Sequence, residues 1–267
     1  MAMKILVTVK EVAAVEDDFE IDGLSIDERY LEYDLNEWDD YAVEAAVQIA
    51  ENADEEVEVV AATIGPERSE ETIRMALAKG ADRAVRVWDD AIAEQSLLDV
   101  DAKVSVFEQV VADEEPDLVL TGVQAADDAF GATGVALANR VGYQWAAVVN
   151  DLDYAAGDET ATVRRELEGG VEEITEVDLP AVLSIQTGIN EPRYASLRGI
   201  RQAQQKEIAP HDLSDLGLDA AGVDGALELT EMYEPESESD ATIFEGGAEE
   251  TAAELADVLR EKGVVGE

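Results

Sequence analysis

"PDLVLTGVQAADDAFGATGVALANRVG", residues 116–142, reads as a strand behind a proline that ends at Gly122, a loop, and a helix opened by Gly131-Ala132-Thr133-Gly134 and closed by Gly142. A short apolar run bounded by turn residues is a buried strand, and apolar residues at helical spacing behind it make a helix that can cover it. Such units, repeated, build a parallel sheet. A helix start also presents free backbone N–H groups and a positive dipole end, and glycines permit close approach, so a phosphate is one ligand for this turn. Plain strand-to-helix punctuation is the other reading. Asp127 and Asp128 would repel a phosphate, so they are expected to point to ribose, backbone or water.

The same grammar extends outward. "KILVTV" (4–9), "VEVVAATIG" (57–65) and "RAVRVW" (83–88) read as strands. "DDYAVEAAVQIAEN" (39–52), "SEETIRMALAKGAD" (69–82) and "SLLDVDAKVSVFEQVVADEE" (96–115) read as helices. The second of these opens on a Ser-Glu-Glu-Thr start resembling a capping box and stops at Gly80. This alternation over the first 145 residues predicts an α/β fold, a Rossmann-like doubly wound parallel sheet with helices on both faces. Ligands of such sheets bind outside the carboxyl ends of the strands, which places Thr8, Ile64 and Gly122–Gly134 on the rim.

From about residue 146 the pattern turns to alternation cut by Gly157-Asp158 and Gly169-Gly170. Strands are expected near 160–167 and 171–177, a β-hairpin addition, followed by a buried run at 181–186. After 210 the chain loosens through the acidic "EPESESD" (234–240), and "GGAEETAAELADVLREKGVV" (246–265) forms a last helix with Ala252, Leu255, Val258 and Leu259 on one face. The organisation expected is an α/β nucleotide-binding domain over 1–210 and an extended C-terminal arm over 211–267 ending in a helix. A long irregular stretch closed by an amphipathic helix lies along a partner or docks back on the core.

Composition excludes whole classes of function. The 267 residues are 46% hydrophobic, enough for one substantial core, and include no cysteine, so disulfides, thiolate metal sites and thiol nucleophiles are absent. No apolar run is long enough to span a bilayer and MAMKILVTVK lacks a signal-peptide design, so a cytoplasmic protein without membrane insertion is expected. Sixty-four acids against 18 bases give a formal net charge of -46, which argues against binding nucleic acid through its phosphates. Acids this dense repel in dilute salt and hardly do so at about 1 M, where the screening length is about 3 Å. The surface reads as tuned to high salt, as in a halophile.

The one histidine, His211, falls in a polar turn and reads as a solvated surface group. No Ser-His-Asp set, histidine pair, Walker loop or Gly-x-Gly-x-x-Gly occurs, and adjacent acids such as Asp127-Asp128 are expected by chance in so acidic a chain, so neither a metal site nor catalytic residues are assigned. "GINEPRYASL" (188–197) reads as an exposed loop after an apolar run. It is either a sharp turn, with Pro192 at its corner and Arg193 paired to Glu191, or a recognition loop carried on a rigid scaffold.

Several stretches together resemble the beta subunit of electron-transfer flavoprotein, in the same order and over nearly the whole chain. They are "KILVTVKEV", "LNEWDDYAVEAAV" (35–47), "GPERSEETIRMALAKGADRAV" (65–85), "DLVLTGVQAADD" (117–128), "RELEGGVEEITEVDLPAVLSIQTGINEPRYASLRGI" (165–200) and "AAELADVLREKGVV". The block at 165–200 is the most specific. The resemblance implies an electron-carrier subunit, without catalytic residues of its own, paired with a larger alpha subunit that holds most of an FAD. It implies a structural AMP held by Thr8, Asn36, Glu37, Trp38, Asp39, Ile64, Asp127, Asp128, Gly131, Thr133, Gly134, Val135 and Ala138. It implies electron entry from acyl-CoA-type or other dehydrogenases, as in fatty acid oxidation, and exit to a membrane quinone oxidoreductase. A recognition loop within 165–205, with Pro192, Arg193, Tyr194 and Leu197, would meet the dehydrogenase. Three departures stand out. Bifurcating members carry a second FAD beside a loop like Asp-Gly-Asp-Thr-Ala, whereas Asp127-Asp128-Ala129-Phe130-Gly131 stands here and favours AMP. Val15 replaces an aromatic near the flavin, and Gln202, Gln204 and Gln205 stand where lysines are usual. On topology alone, a nucleotide-binding stress or sensor protein remains the alternative.

Overall fold

Alternate residues of each central strand face opposite helix layers, and this makes the sheet doubly wound. The structure, a computed structural model, describes residues 2–16, 18–235 and 241–264. Residues 236–240 of the acidic stretch and Val265 of the last predicted helical stretch lie outside the described residues. The chain opens with Met3–Thr8 (β1), Glu11–Val15 (β2), Ile21–Asp22 (β3), Ser25–Ile26 (β4), Leu31–Leu35 (β5) and Glu37–Asn52 (α1). Next come Val57–Ile64 (β6), Glu70–Lys79 (α2), Arg83–Val87 (β7), Asp90–Ala93 (α3), Val100–Glu114 (α4), Leu118–Gly122 (β8) and Thr133–Val141 (α5). Gln144–Asp153 (β9), Thr160–Leu167 (β10), Val171–Asp178 (β11), Ala181–Ile185 (β12), Leu197–Ala203 (α6), Ile208–His211 (β13) and Ala248–Glu261 (α7) follow.

Among the described residues, nine strands form the main sheet in the order β11-β10-β9-β12-β8-β1-β6-β7-β13. From β9 to β13 every pairing is parallel, and β10 and β11 add an antiparallel hairpin at one edge. Ile5, Val7, Leu118, Leu120, Leu183 and Ile185 pack into the layer holding Val43, Val47, Ile73 and Leu77 of α1 and α2. Leu6, Val60, Val119 and Val182 turn the other way, onto Val104, Phe107 and Val110 of α4 and Leu137 of α5. The chain leaves β1 toward β6 and β7, then returns to β8 on the opposite side of β1. The reversal opens a crevice at the carboxyl ends of β1 and β8, where such sheets bind ligands.

Several local expectations need correction. The helix expected from 96 starts at Val100, because Asp99 accepts from Ala102 N–H at 3.0 Å and fixes the start there. Ser69 is not a capping-box residue. It ends a 3-10 turn and its hydroxyl donates to Glu11 at 3.2 Å. His211 is half-buried at the end of β13 rather than in a turn, and its carbonyl accepts from Trp88 N–H at 3.0 Å.

The chain divides into one compact unit through Met232 and a second from Tyr233 onward. The core of the first reaches past β13 to Leu213, Leu216 and Val223. The second contains α7, none of whose residues is buried. Among the described residues, no helix is long and apolar enough to cross a membrane.

Candidate functional site

Two polar residues at the start of α1 assemble the crevice. Asn36 is buried at the N-cap; its Nδ2 donates to Gln124 O at 2.8 Å and its Oδ1 accepts from Ala126 N–H at 3.2 Å. Asp39, one turn inside, accepts from Lys10 N–H at 2.8 Å and from Gly122 N–H at 3.0 Å. One helix start thus ties together the ends of β1 and β8 and the loop after β8. Gly122 is a glycine for this reason, since a Cβ there would collide with the Asp39 carboxylate and lie 2.7 Å from Trp38 Cβ.

Burial pushes the Asp39 carboxyl from an ordinary 3.8 up to about 7, against the N–H bonds from Lys10 and Gly122 that favour its charged form. The folded state therefore holds this proton more tightly than the unfolded chain. The stabilisation is full below pH 3.8 and is lost as pH rises through about 7. Between pH 5 and pH 8 the unfolding free energy should fall by about 2–3 kcal/mol more in the parent than in Asp39→Asn, which has no proton to lose. Urea titrations of both proteins at the two pH values, at fixed salt, measure the difference. Parallel pH profiles would refute the assignment.

The cavity over the crevice has a volume of about 670 Å³. Thr8, Asn36, Asp39, Ile64, Asp127, Asp128, Gly131 and Thr133 line it, so eight predicted positions from four stretches of the chain converge there. Glu37, Trp38, Gly134, Val135 and Ala138 do not line it. Glu37 is exposed, and Trp38 Nε1 donates to Gln186 Oε1 at 3.0 Å. Ala138 is fully buried among the residues packed beneath α5. Gly134 is buried at the helix start, where a Cβ would stand 2.5 Å from Thr121 Oγ1.

Asp127 and Asp128 face cations, and Asp128 also meets one of its expected partners, accepting from the backbone N–H of Phe130 at 3.2 Å. Lys10 Nζ lies 2.5 Å from Asp127 and 2.9 Å from Asp128, and Lys103 Nζ bonds Asp128 as well. Burial alone would raise the Asp128 carboxyl, but the bonds from Lys103 and Lys10 outweigh it and hold the group below the usual carboxylate range. Lys103 also sits 5.1 Å from the centre of the Phe130 ring. The acid pair is thereby neutralised from within the fold, and its repulsion of an anion is removed.

The helix start itself is open. No side chain caps α5, and Gly131 takes φ +62° as the loop turns into it. Beside it the Thr121 hydroxyl is buried and has no hydrogen-bond partner among the described residues. Free N–H groups and an orphan hydroxyl fit a phosphate or another anionic oxygen group. Ile64, Leu98, Phe107, Leu229 and Met232 supply an apolar wall for a flat ring. Lys10, Lys103, Thr121 and Gln124 join the site without having been singled out in the sequence. The partners of Lys10 in the acid pair lie 117 and 118 positions away, and no local pattern announces them.

The second candidate surface follows β12. The segment 186–196 is irregular, and Leu197 begins α6 rather than ending a loop. Arg193 pairs with α1 and not with Glu191. Its Nε lies 2.8 Å from Glu44 Oε2, its Nη1 lies 2.6 Å from Glu51 Oε1, and its backbone N–H donates to Glu44 at 3.2 Å. Asn190 Nδ2 donates to Tyr41 O at 3.0 Å. Burial would raise Glu44, but the bonds from Arg193 and Gln48 win and keep it below the usual carboxylate range. The loop is thus latched to the helix that opens the crevice. Beyond the latch Tyr194 is 97% exposed and Leu197 79% exposed. Pro192 is half-buried.

A model of the electron transfer flavoprotein domain matches residues 23–216. The electron transfer flavoprotein subunit beta of Methylophilus methylotrophus is 50% identical over 264 residues, covering 97% of this chain and 98% of that one. The mitochondrial subunit beta of Oryza sativa subsp. indica is 37% identical over 235 residues, covering 87% and 90%. The subunit beta of Bacillus subtilis (strain 168) is 31% identical over 264 residues, covering 98% and 100%.

Proposed function

The chain belongs to the electron transfer flavoprotein family as a beta subunit, and from that premise we propose that it forms a heterodimer with an alpha subunit and stores an AMP in the cavity above β1 and β8. The observation that carries the nucleotide is the pairing of an uncapped α5, at the edge of that cavity, with the orphan hydroxyl of Thr121, a residue of the cavity wall. The first-turn N–H groups and Thr121 hold the phosphate. Asn36 and Asp39 fix the geometry of the rim, and Lys10 and Lys103 cancel Asp127 and Asp128 so that an anion can approach. The AMP is a packing element, while FAD, held mainly by the alpha subunit, supplies the redox chemistry. This chain contributes a wall that excludes water and no catalytic group of its own.

Electrons enter from acyl-CoA-type or other dehydrogenases that dock on Pro192, Arg193, Tyr194 and Leu197, and leave to a membrane quinone oxidoreductase. Residues 211–267 act as an arm whose helix contacts the alpha subunit, while the part through Met232 packs with the nucleotide-binding part over 1–210 and lines its cavity. The protein works in a saline cytoplasm, which accounts for the net charge of -46. A stress or sensor protein of the same topology would leave the Arg193 latch and the exposed Leu197 without a role.

Co-expression with the alpha subunit tests this. The chain alone should be colourless, and the purified heterodimer yellow. Chromatography of nucleotides released by heat should give one AMP and one FAD per heterodimer. Two FAD and no AMP, or a full complement of FAD on this chain alone, would overturn the proposal.

A further inference from the structure

We propose that α6 presents a docking face for a partner surface that is apolar at its centre and rimmed by carboxylates, and that Arg198 and Arg201 select that partner by charge. The inference rests on the reading that Leu197 meets a dehydrogenase, and it adds the chemistry that the dehydrogenase must show.

The first observation is where the cations go. The chain holds 18 Lys and Arg among 64 acids. Among the described residues nearly all of them are committed to a carboxylate or a backbone carbonyl. Lys206, in the same segment, is turned inward, with Nζ 2.6 Å from Ala81 O and 3.1 Å from Leu77 O. Arg198 and Arg201 are exposed and neither side chain forms an ion pair or hydrogen bond among the described residues. In so acidic a chain, two adjacent uncommitted arginines are a local inversion of charge. They are three apart on one helix and so act together.

The second observation is what lies between and beside them. Leu197 is 79% exposed and Ile200 41%, again three apart, and Met75 of α2 is 39% exposed. An apolar centre edged by arginines is the composition that concentrates binding energy at protein interfaces. The face is also fixed in place. Ser196 caps α6 by accepting from Gly199 N–H at 3.0 Å, and Gly199 lets α6 approach the Ala78 carbonyl so closely that a Cβ would collide with it. The Arg193 latch holds the chain just upstream. A rigid, charge-inverted apolar patch fits a protein with a matching acidic rim. An RNA or DNA backbone would meet the repulsion of the rest of the chain.

The test uses the intact heterodimer and, as probe, a purified acyl-CoA dehydrogenase of the same cell reduced by its acyl-CoA substrate. Steady-state KM for the heterodimer, kcat, flavin content and sedimentation are measured from the lowest salt that keeps the heterodimer intact up to molar potassium chloride. Arg198→Glu with Arg201→Glu should raise KM about 10- to 100-fold at low salt, with kcat and flavin content as in the parent, and the penalty should shrink as salt rises. Arg198→Lys with Arg201→Lys should recover most of the affinity. Leu197→Ala should raise KM by about one to two decades with little salt dependence. If Leu197→Ala weakens docking and the double glutamate does not, the dehydrogenase reading stands and the charge proposal falls. If both are silent, the dehydrogenase reading falls and takes the proposal with it. Loss of flavin or of heterodimer in the glutamate variant would assign the arginines to the alpha subunit. A change in self-association would assign the face to a second copy. Either result overturns the proposal.

Discussion

Arg193→Met should lower the unfolding free energy by about 3 kcal/mol at neutral pH, the lower end of the loss when one partner of a buried ion pair is removed. The Glu44 side chain is 5% exposed, and its oxygens are taken up by Arg193 Nε, Nη2 and backbone N–H together with Gln48 Nε2. Methionine keeps the aliphatic reach and removes the charge, so a carboxylate is left under the loop with a glutamine and one N–H. The lower end applies because Arg193 itself is 32% exposed. The pH dependence separates causes. Glu44 in the parent is held below its ordinary 4.5, so the latch stabilises above that pH and its contribution is lost as pH falls through the folded value. In the variant the stranded carboxyl titrates higher, so acidification relieves it. The gap between parent and variant should therefore narrow as pH falls, followed by urea unfolding. A constant gap would mean that packing of the Arg193 chain, not its charge, was lost.

Gly134→Val should cost about 3 kcal/mol, the upper end of the penalty for forcing extra carbons into a filled space. The new Cβ would lie 2.5 Å from Thr121 Oγ1 and 3.6 Å from Ser184 Cβ, and both neighbours belong to the sheet beneath. The glycine thus serves the approach of α5 to β8 and β12, a packing role beside the ligand approach expected from the sequence. Combining Gly134→Val with Thr121→Ala, which deletes the hydroxyl and the methyl in the way, should recover more than half of the loss in a double-mutant cycle. Thr121→Ala alone should leave stability nearly unchanged and lower the nucleotide content. Thermal melts and nucleotide analysis of the four proteins decide the matter. A Gly134→Val protein that melts with the parent but arrives without nucleotide would leave only the ligand role.

Legibility tracked the range of the interaction that fixes each element. The strands Val57–Ile64 and Leu118–Gly122 and the helix Glu37–Asn52 are set by periodicity within a single window, and the sequence reading placed them to within a few residues. The short ladder of β2 with β5 depends on pairing across residues 16–30, which hold β3 and β4, and no pattern in either five-residue segment announced it. β9 departs from simple alternation where Val148 adopts φ +60° and its N–H donates to Ser184 Oγ at 3.0 Å, so its face pattern slips midway. The rim of the site was legible because ligand position follows from sheet topology. The partners of Lys10, Asp128 and Arg193 were not, since an ion pair between distant segments leaves no trace in local composition.

Both borders of the main sheet refuse a further strand, by different means. At one border the carbonyls of Glu207 and His211 accept from Ala84 and Trp88 N–H, so the even positions of β13 turn outward, and one of them is Pro210, which has no N–H to offer. At the other, β11 carries Glu172, Glu173, Glu176 and Asp178 along its length. A newly made copy that has not yet met its companion subunit exposes these borders to its siblings in a crowded cell. A missing donor and a row of carboxylates operate there. Each border thus opposes, at contact range, the addition of a strand from a second copy.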